Sequence, residues 1–378
     1  MQFRKFGKDD FQASILGFGA MRLPLKSADP GDIDLSQATE MIRLAVDSGV
    51  NYVDTAYGYH NGKSESVVGQ ALRDGYRQKV RLATKLPYWA VNSIEDMDRI
   101  FAEQLARLET GKIDYYLLHA LSQTAWEKLK GFKVLEWAQR KSDAGQIGSL
   151  GFSFHDGPEV FKQIIDEHNW DFCQIQYNYM DTENQAGSAG LEYANAKSIP
   201  VIVMEPLRGG SLANPPENVK AILAKSGIDR TPAEWGLLWA WSQPGVSLVL
   251  SGMSNLKQVR DNLLIAENSG SLKMSENDLK VIAEVRKAYL DSKAINCTQC
   301  GYCMPCPYGV NIPTNFAMYN EAERYNNYNG PKWQYANRLK EEERAAACTG
   351  CQRCLPKCPQ KLEIPDLLEK VHQALRTQ

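Results

Sequence analysis

Eight of the nine cysteines lie in two tight groups near the C-terminus, and their spacing constrains the fold more than any other feature of the chain. The second group reads C-x2-C-x2-C-x3-C-P, and the first has one residue fewer in its last gap. Thiolates at this spacing hold cubane iron–sulfur clusters. The sequence therefore predicts two 4Fe–4S clusters, bound by Cys297, Cys300, Cys303, Cys306, Cys348, Cys351, Cys354 and Cys358.

The pairing of these ligands follows from the way two-cluster proteins use such runs. In that pattern the fourth cysteine of each run ligates the cluster of the other run. Cys358 would then join the first three cysteines of the first group, and Cys306 those of the second. Zinc is the weaker alternative, because its ligands usually come in two pairs separated by a longer loop. The ninth cysteine, Cys173, lies in an apolar stretch and reads as a buried structural thiol.

Charge and hydropathy exclude several classes of protein. A net charge of −2 over 378 residues, with only short basic runs, argues against nucleic-acid binding. No apolar run reaches the length of a membrane span, so we expect no membrane association. The N-terminal stretch has mixed charge and no apolar core, which argues against a secretory signal. We therefore expect a cytoplasmic protein, in which thiols stay reduced and disulfides are disfavoured.

The first three quarters of the chain alternate short β-branched, apolar runs with amphipathic segments. Eight such alternations favour the α/β class and, within it, a parallel (β/α)8 TIM barrel. A doubly wound open sheet is the alternative, but no G-x-G-x-x-G follows the first strand. The candidate strands are 15–21, 51–56, 80–85, 113–119, 147–153, 172–178, 200–206 and 246–253.

The composition changes near residue 291, where a helical segment leads into the cysteines. We place the barrel at 1–290 and a small, mainly α-helical, two-cluster ferredoxin-like domain at 291–378. A weak repeat supports the second domain, because each cysteine run is followed by Ile-Pro and a helical pattern. The long, helix-like connection between the runs also favours a helical domain over a strand-rich one.

Polar residues collect at the ends of the candidate strands. In a (β/α)8 barrel the chemistry sits at the carboxyl ends of the strands, so this placement predicts a site there. Any one of these residues could be a solvated loop side chain, but eight together are harder to dismiss. They are Asp54, Lys85, His119, Ser153, Gln174, Asn178, Glu205 and Ser251.

Asp54, Tyr59, Lys85 and His119 form a set that suits general-acid catalysis on a carbonyl group. A phenol is a poor proton donor at neutral pH, since its ordinary pKa is about 10. A nearby lysine ammonium favours the phenolate and lowers that pKa, and an aspartate keeps the lysine charged. A histidine can hydrogen-bond the substrate oxygen and orient it. The set contains no nucleophile and no metal site.

Several motifs together resemble the aldo-keto reductase superfamily over about residues 1–290. They are NYVDTAYGYHNGKSE (51–65), ATK (83–85), DYYLLH (114–119), GFS (151–153) and SGMSNLKQVRDN (251–262). The whole chain resembles the bacterial subgroup in which such a barrel is fused to a C-terminal 4Fe–4S ferredoxin-type domain.

The resemblance implies roles for specific residues. Asp54, Tyr59, Lys85 and His119 match the catalytic tetrad of the family, with Tyr59 as the proton donor. The family binds NADP(H), less often NAD(H), without a Rossmann motif, and we expect NADP(H) ahead of NAD(H). The implied cofactor residues are Ser153 and Gln174 for the nicotinamide carboxamide, Leu207, Gly209 and Ser211 over the pyrophosphate, and Ser251, Gly252, Ser254, Gln258 and Asn262 around the adenosine phosphate.

Three positions depart from the family pattern. Phe154 stands where asparagine usually follows the serine of G-x-S, and Met204 replaces the aromatic residue that stacks on nicotinamide. Ser254 replaces the basic residue expected beside the 2′-phosphate, although Lys257 and Arg260 are close in sequence. These departures leave the choice between NADPH and NADH open.

The sequence thus predicts an oxidoreductase that transfers hydride between NAD(P)H and a small carbonyl or alcohol substrate. Hydride carries two electrons whereas a 4Fe–4S cluster carries one, and no flavin motif is present to bridge them. Three explanations stay open at this point. The clusters end near a substrate that is reducible in single steps, a redox partner protein (a flavoprotein or a ferredoxin) intervenes, or the clusters are structural. The alternative is a regulatory or binding subunit, or an electron carrier, with weak or no carbonyl reductase activity.

Overall fold

The computed structural model describes residues 1–6, 11–270 and 274–377. Its chain divides into two compact units by internal contacts. The first comprises Met1–Gly209 with Ala233–Met274, and the second comprises Gly210–Pro232 with Ser275–Gln378. The domain limits 1–290 and 291–378 therefore remain a prediction, since the compact units divide the chain differently at two segments.

The first unit contains a closed barrel of eight parallel strands among the described residues, in the order β10-β3-β4-β5-β6-β7-β8-β9. Two further strands, β1 and β2, form a separate antiparallel hairpin, which the sequence did not indicate. The strands are β1 Phe3–Lys5, β2 Gln12–Ser14, β3 Leu16–Gly19, β4 Tyr52–Asp54, β5 Arg81–Pro87, β6 Ile113–Leu121, β7 Ile147–Phe154, β8 Phe172–Gln176, β9 Val201–Met204 and β10 Val246–Ser251.

The α-helices of the described residues follow the strands and then continue into the C-terminal part. None of them combines the length and the apolar character that crossing a bilayer requires. They are α1 Leu35–Asp47, α2 Ser64–Ala71, α3 Ile94–Arg107, α4 Gln123–Gly131, α5 Val134–Asp143, α6 Pro158–Glu167, α7 Gly187–Ala196, α8 Glu217–Lys225, α9 Pro232–Ser242, α10 Leu256–Asn268, α11 Glu276–Asp291, α12 Ile312–Tyr325, α13 Asn329–Asn337 and α14 Ile364–Leu375.

The barrel confirms the predicted (β/α)8 class, and each of the eight apolar runs overlaps one of its strands, although β5, β6 and β7 extend one or two residues beyond their predicted ends. These strands are buried on both faces, because side chains alternate between the barrel interior and the surrounding helices. Side chains near the strand beginnings fill the lower interior, where Phe6 from beyond β1 packs against Tyr52, Tyr115 and Phe172. The opposite, carboxyl-terminal end is thereby left for polar groups.

The second unit has its own apolar core around α12 and α14. Both helices begin with Ile-Pro, where the proline occupies the first turn and so removes no needed hydrogen-bond donor. Phe316 of α12 and Leu368 of α14 are buried in this core, and six of the cysteines pack against it. The repeat seen in the sequence therefore corresponds to two helices of one core.

Candidate active site and cluster-binding cysteines

Lys85 lies at the centre of the cluster of polar side chains at the carboxyl end of the barrel. It lies on β5, is completely buried, and its Nζ donates to Asp54 Oδ1 at 2.7 Å and to the Thr55 carbonyl at 2.7 Å. It also lies 3.3 Å from Tyr59 Oη. Burial alone would lower the pKa of Lys85, but Asp54 and Tyr59 outweigh burial and the pKa is raised. The lysine is thus held as an ammonium between a carboxylate and a phenol.

Tyr59 follows β4 in a turn whose backbone is unusual. His60 and Asn61 both have a positive φ of 53°. His60 holds the turn, because its Nε2 accepts from Leu23 N at 3.0 Å and its Nδ1 lies 2.8 Å from the Pro30 carbonyl. Both ring nitrogens of His60 are therefore occupied by backbone groups, and its role is to position the turn that carries Tyr59.

The Tyr59 phenol is protonated at neutral pH. Burial raises the pKa of Tyr59 above its ordinary value, while the Lys85 ammonium acts in the opposite direction. The sequence-based expectation of a lowered pKa thus captured the effect of Lys85 but not the larger effect of burial. A phenol with a raised pKa holds its proton at neutral pH, and an adjacent ammonium is able to stabilise a phenolate.

His119 lies on β6 and faces Tyr59, with the two ring centroids 5.9 Å apart. Trp89 covers the histidine from another side at 5.0 Å. Burial, together with the Lys85 charge, holds the pKa of His119 well below its usual range, so the imidazole is neutral. Its Nδ1 is buried without a hydrogen-bond partner in the described part of the chain. A neutral imidazole suits hydrogen bonding to a carbonyl oxygen.

Two further residues of the predicted site lie side by side on neighbouring strands. Ser153 on β7 pairs in register with Gln174 on β8. Ser153 Oγ accepts from Ala120 N at 2.7 Å and keeps its own proton available for donation. Gln174 Nε2 lies 3.5 Å from Met204 Sδ, whereas its Oε1 is buried without a partner among the described residues. This free acceptor fits the amide group of a nicotinamide.

Two of the three remaining strand-end residues named from the sequence, Asn178 and Glu205, lie beside this group. Asn178 Nδ2 donates to Asp181 Oδ2 at 3.0 Å and to the Glu205 carbonyl at 3.1 Å, which ties the segments after β8 and β9 together. Glu205 is exposed, has a positive φ of 54°, and its charge acts on Tyr59 and on His155. Asn178 is thus structural, whereas Glu205 contributes charge to the mouth.

The predicted pyrophosphate residues lie after β9. Leu207 is half-buried and packs against Gly236, where an added Cβ would lie 2.5 Å from Leu207 Cδ2. Gly209 has a positive φ of 66°, a backbone conformation that favours glycine. Ser211 belongs to the second compact unit, where its Oγ accepts from Asn327 Nδ2 at 2.8 Å.

The predicted adenosine-phosphate residues surround the start of α10. Asn262 Nδ2 donates to Ser251 Oγ at 2.9 Å, and Gln258 Oε1 accepts from Ser254 N at 2.7 Å. Asn255 caps the helix by accepting from Gln258 N at 2.9 Å. The residues that the sequence assigned to a phosphate therefore build the β10–α10 turn, and Gly252 leaves its backbone accessible there.

A buried polar network behind Lys85 was not recognised from the sequence. The Glu65 carboxyl is completely buried, and its Oε1 accepts from Thr84 Oγ1 at 2.6 Å and from Gln104 Nε2 at 2.8 Å. Gln104 Nε2 also donates to the Lys85 carbonyl at 3.0 Å, and Tyr116 Oη donates to Gln104 Oε1 at 2.7 Å. The network fixes the strand that carries Lys85. The sequence did contain one signal of this network. Thr84 precedes the inward-facing Lys85 on the same strand, so its polar side chain faces the surrounding helices and needs a hydrogen-bond partner there.

The eight clustered cysteines line two cavities in the second unit. One cavity has Cys297, Cys300, Cys303 and Cys358 in its walls. The other has Cys306, Cys348, Cys351 and Cys354, and Cys303 also contacts it. The fourth cysteine of each run thus lies with the other run, as expected from the sequence, and Ile312 contacts both cavities. Cys173 is buried in the barrel, and burial raises its pKa.

Polynuclear clusters and single metal ions place different demands on the spacing of thiol ligands. Nowhere in the described ranges do three His, Cys, Asp or Glu side chains come close enough to share one metal ion. A cubane spreads its four ligands over separate iron atoms, so wider spacing is required. The backbone N–H of Gln299 also donates to Cys297 Sγ at 3.4 Å, a contact that stabilises thiolate ligands.

Two family models match the chain. That of the aldo/keto reductase family matches residues 15–287, and a 4Fe-4S dicluster domain matches residues 296–363. This chain belongs to the aldo/keto reductase family. It is an oxidoreductase-family barrel followed by a 4Fe–4S domain, and the second match spans all eight clustered cysteines.

Relatives and solved structures cover the barrel. The uncharacterized oxidoreductase YqkF of Bacillus subtilis is 24% identical, over 75% of this chain and 95% of the relative. The NADH-specific methylglyoxal reductase of Escherichia coli is 25% identical, and the match covers 75% of this chain and 97% of the relative. An aldo-keto reductase of Klebsiella pneumoniae in complex with NADPH shares the fold with a TM-score of 0.60 at 24% identity, covering 75% of this chain and 95% of that one.

Proposed function

We propose that this chain is an NAD(P)H-dependent reductase of small carbonyl compounds, with Tyr59 as the general acid. The observation that carries the proposal is the position of Lys85 Nζ, 2.7 Å from Asp54 Oδ1 and 3.3 Å from Tyr59 Oη, with Lys85 and Asp54 buried and Tyr59 half-buried. Such a phenol, supported by an ammonium, can give a proton to a carbonyl oxygen and hold the resulting negative charge. In the reverse direction it takes the proton of an alcohol.

Each of the four residues has a distinct task. Tyr59 gives its proton to the substrate oxygen, and Lys85 stabilises the phenolate that is left. Asp54 keeps Lys85 charged, because a buried ammonium without a carboxylate would lose its proton. The neutral His119 hydrogen-bonds the same oxygen and orients the carbonyl. The nicotinamide cofactor supplies the hydride when it is bound.

The residues that would hold the nucleotide are those predicted from the sequence. Ser153 and the free Gln174 Oε1 suit the carboxamide, and the segments of Leu207, Gly209 and Ser211 and of Ser251, Gly252, Ser254, Gln258 and Asn262 suit the phosphates. NADP(H) is proposed ahead of NAD(H). The NADPH complex of the Klebsiella pneumoniae protein supports this order, although the Escherichia coli relative uses NADH.

The cysteine cavities support a proposal of two 4Fe–4S clusters with crossed fourth ligands. Clusters of this type supply single electrons when bound, whereas the barrel chemistry moves electron pairs. We assign the clusters to exchange with a redox partner protein, a flavoprotein or a ferredoxin, because Cys300 and Cys351 are exposed. Anaerobic NADPH alone should then leave the cluster absorbance unchanged, whereas a reduced partner should bleach it. Bleaching by NADPH alone would contradict this assignment.

The test of the catalytic proposal compares two phenols from the same turn. Tyr59→Phe should lower kcat for NADPH-dependent reduction of a carbonyl panel by at least about hundredfold, since the acid is lost. Tyr57→Phe is the matched control, because Tyr57 Oη donates to Glu103 at 2.8 Å and has no contact with Lys85 in the described residues. Full activity of Tyr59→Phe, or equal losses in both variants, would contradict the role of Tyr59.

A further inference from the structure

The two cysteine cavities differ in the charge of the residues that line them. The first-run cavity holds the first three cysteines of the first run, and the second-run cavity holds the first three of the second run. Arg353 and Lys357 line the second-run cavity. Among the described residues, no lysine or arginine lines the first-run cavity, and no aspartate or glutamate lines either cavity. Cationic side chains therefore stand beside only one of the two proposed cluster sites.

The two cations are also the points at which the cysteine runs differ in charge. The runs read CTQCGYCMPC and CTGCQRCLPKC, so they share the opening Cys-Thr and a proline in the last gap. Arg353 stands where the first run has Tyr302, and Lys357 is the additional residue of the longer last gap. Two runs of otherwise similar pattern thus differ by two positive charges.

Neither of these charges is neutralised by a neighbour. Arg353 and Lys357 are exposed, and within the described ranges neither forms an ion pair or donates a side-chain hydrogen bond. Solvent access does not separate the two sites, because each cavity has one exposed cysteine, Cys300 or Cys351, and its other three ligands are half-buried. Charge is the clearest difference between the cavities.

A positive charge beside an iron–sulfur cluster raises its reduction potential. Reduction adds one electron to a cluster that is already anionic with its four thiolates, so a nearby cation stabilises the reduced state more than the oxidised state. In the first-run cavity the Gln299 N–H donates to Cys297 Sγ at 3.4 Å, which acts in the same direction on the other cluster. One amide dipole is weaker than two unit charges, so the second-run cluster has the higher potential.

We propose that Arg353 and Lys357 make the cluster of the second-run cavity the first of the two to be reduced, an inference that rests on the proposed pair of 4Fe–4S clusters. A one-electron donor such as the redox partner loses one electron, and the second-run cluster gains it. No proton moves and no bond forms or breaks. An electron that enters at the first-run cluster moves on to the second-run cluster, because that direction is downhill.

Electron paramagnetic resonance of the full chain, purified anaerobically and poised at a series of potentials with dithionite and mediators, tests this order. The signal that appears first as the potential is lowered should be altered in Cys351→Ser and unaltered in Cys300→Ser. Arg353→Tyr, which introduces the residue of the first run, and Lys357→Gln should each lower the midpoint potential of that signal. The ratio of second-run to first-run reduced clusters at one electron per chain should fall by about three- to tenfold for each charge removed, since the charges are exposed and partly screened.

Two further variants separate the effect of charge from an effect on structure. Arg353→Lys keeps the charge, so its midpoint potential should stay near that of the parent chain. Lys293→Gln removes an exposed lysine that lies outside the walls of both cavities, and it should change the ratio by no more than about twofold. Iron and sulfide analysis of each variant checks that both clusters are present.

The contradicting results are distinct. A first signal that is altered by Cys300→Ser, or two coincident midpoint potentials, would overturn the proposed order. Equal shifts in Arg353→Tyr and Arg353→Lys, or shifts no larger than that of Lys293→Gln, would overturn the role of the two cations. All of these outcomes leave the two-cluster proposal standing. Iron and sulfide for fewer than two clusters in the parent chain would overturn both.

Discussion

At the scale of single residues, the candidate site depends on charges that are buried but paired. Lys85 is 0% exposed and Asp54 is 2% exposed, so neither ion has water to stabilise it. Removing one partner of such a pair costs about 3–5 kcal/mol, because the other charge stays buried alone. Asp54 Oδ2 and His119 Nδ1 are also buried without a protein partner in the described part of the chain.

A substitution at Glu205 tests whether Tyr59 is the group that titrates in the pH profile of the reaction. Burial is the main cause that raises the pKa of Tyr59, and the Glu205 carboxylate raises it further. Glu205→Gln removes that negative charge, so the pKa of Tyr59 should fall. The alkaline limb of the kcat/KM profile for carbonyl reduction should then move to lower pH. A limb that stays in place, with activity otherwise retained, would show that Tyr59 is not the group that titrates.

His119 makes the stability of the fold depend on pH. Its folded-state pKa lies well below the unfolded value of about 6.5, so the unfolded chain binds more protons as the pH falls through that value. Its stability contribution is complete above about pH 6.5 and is lost progressively below it. When the pH is lowered from 7.5 to 5.5 under anaerobic conditions, the Tm of His119→Gln should therefore fall by less than the Tm of the parent chain. Equal losses would contradict a buried, neutral His119.

At the scale of elements, the Glu65–Gln104 network joins α2, β5, α3 and β6. Gln104→Leu would remove three hydrogen bonds. Gln104 Nε2 donates to Glu65 and to the Lys85 carbonyl, and Gln104 Oε1 accepts from Tyr116 Oη. The expected loss is about 2–4 kcal/mol in the free energy of unfolding, since several buried groups lose partners. Gln139→Leu is the control, because Gln139 is exposed and its side chain bonds only Asp143, at 2.7 Å, among the residues that the structure describes. A loss for Gln104→Leu no larger than that of the control would contradict a structural role for the network.

The barrel strands were predictable because they are buried on both faces and read as continuous apolar runs. Two helix caps were also predictable, since Ser93 and Ser275 each stand before a helical pattern with an aspartate three residues on, and each accepts from the backbone N–H of that aspartate. The hairpin of β1 and β2 was not, because strands of three residues give too short a pattern. The neighbours of Glu65 belong to elements that are distant in sequence. Only the folded chain brings them together.

At the scale of the whole molecule, the crossed pairing of cysteines gives a prediction about iron. Cys358→Ser should affect the same cluster as Cys297→Ser, although 61 residues separate the two positions, because both line one cavity. Cys306→Ser should instead match Cys351→Ser. The measurement is anaerobic iron and sulfide analysis combined with electron paramagnetic resonance of the reduced variants. If Cys358→Ser perturbed the same signal as Cys351→Ser, the crossed assignment would be wrong.

The reductase proposal itself is tested most directly by following hydrogen isotope into product. The chain is incubated anaerobically with NADPH that carries deuterium in place of both hydrogens at the nicotinamide C4 position, and with the best carbonyl of a panel. We predict one deuterium on the carbinol carbon of the alcohol, one nucleotide oxidised per alcohol formed, and loss of both in Tyr59→Phe. An alcohol formed without deuterium, or formed equally well by Tyr59→Phe, would contradict it.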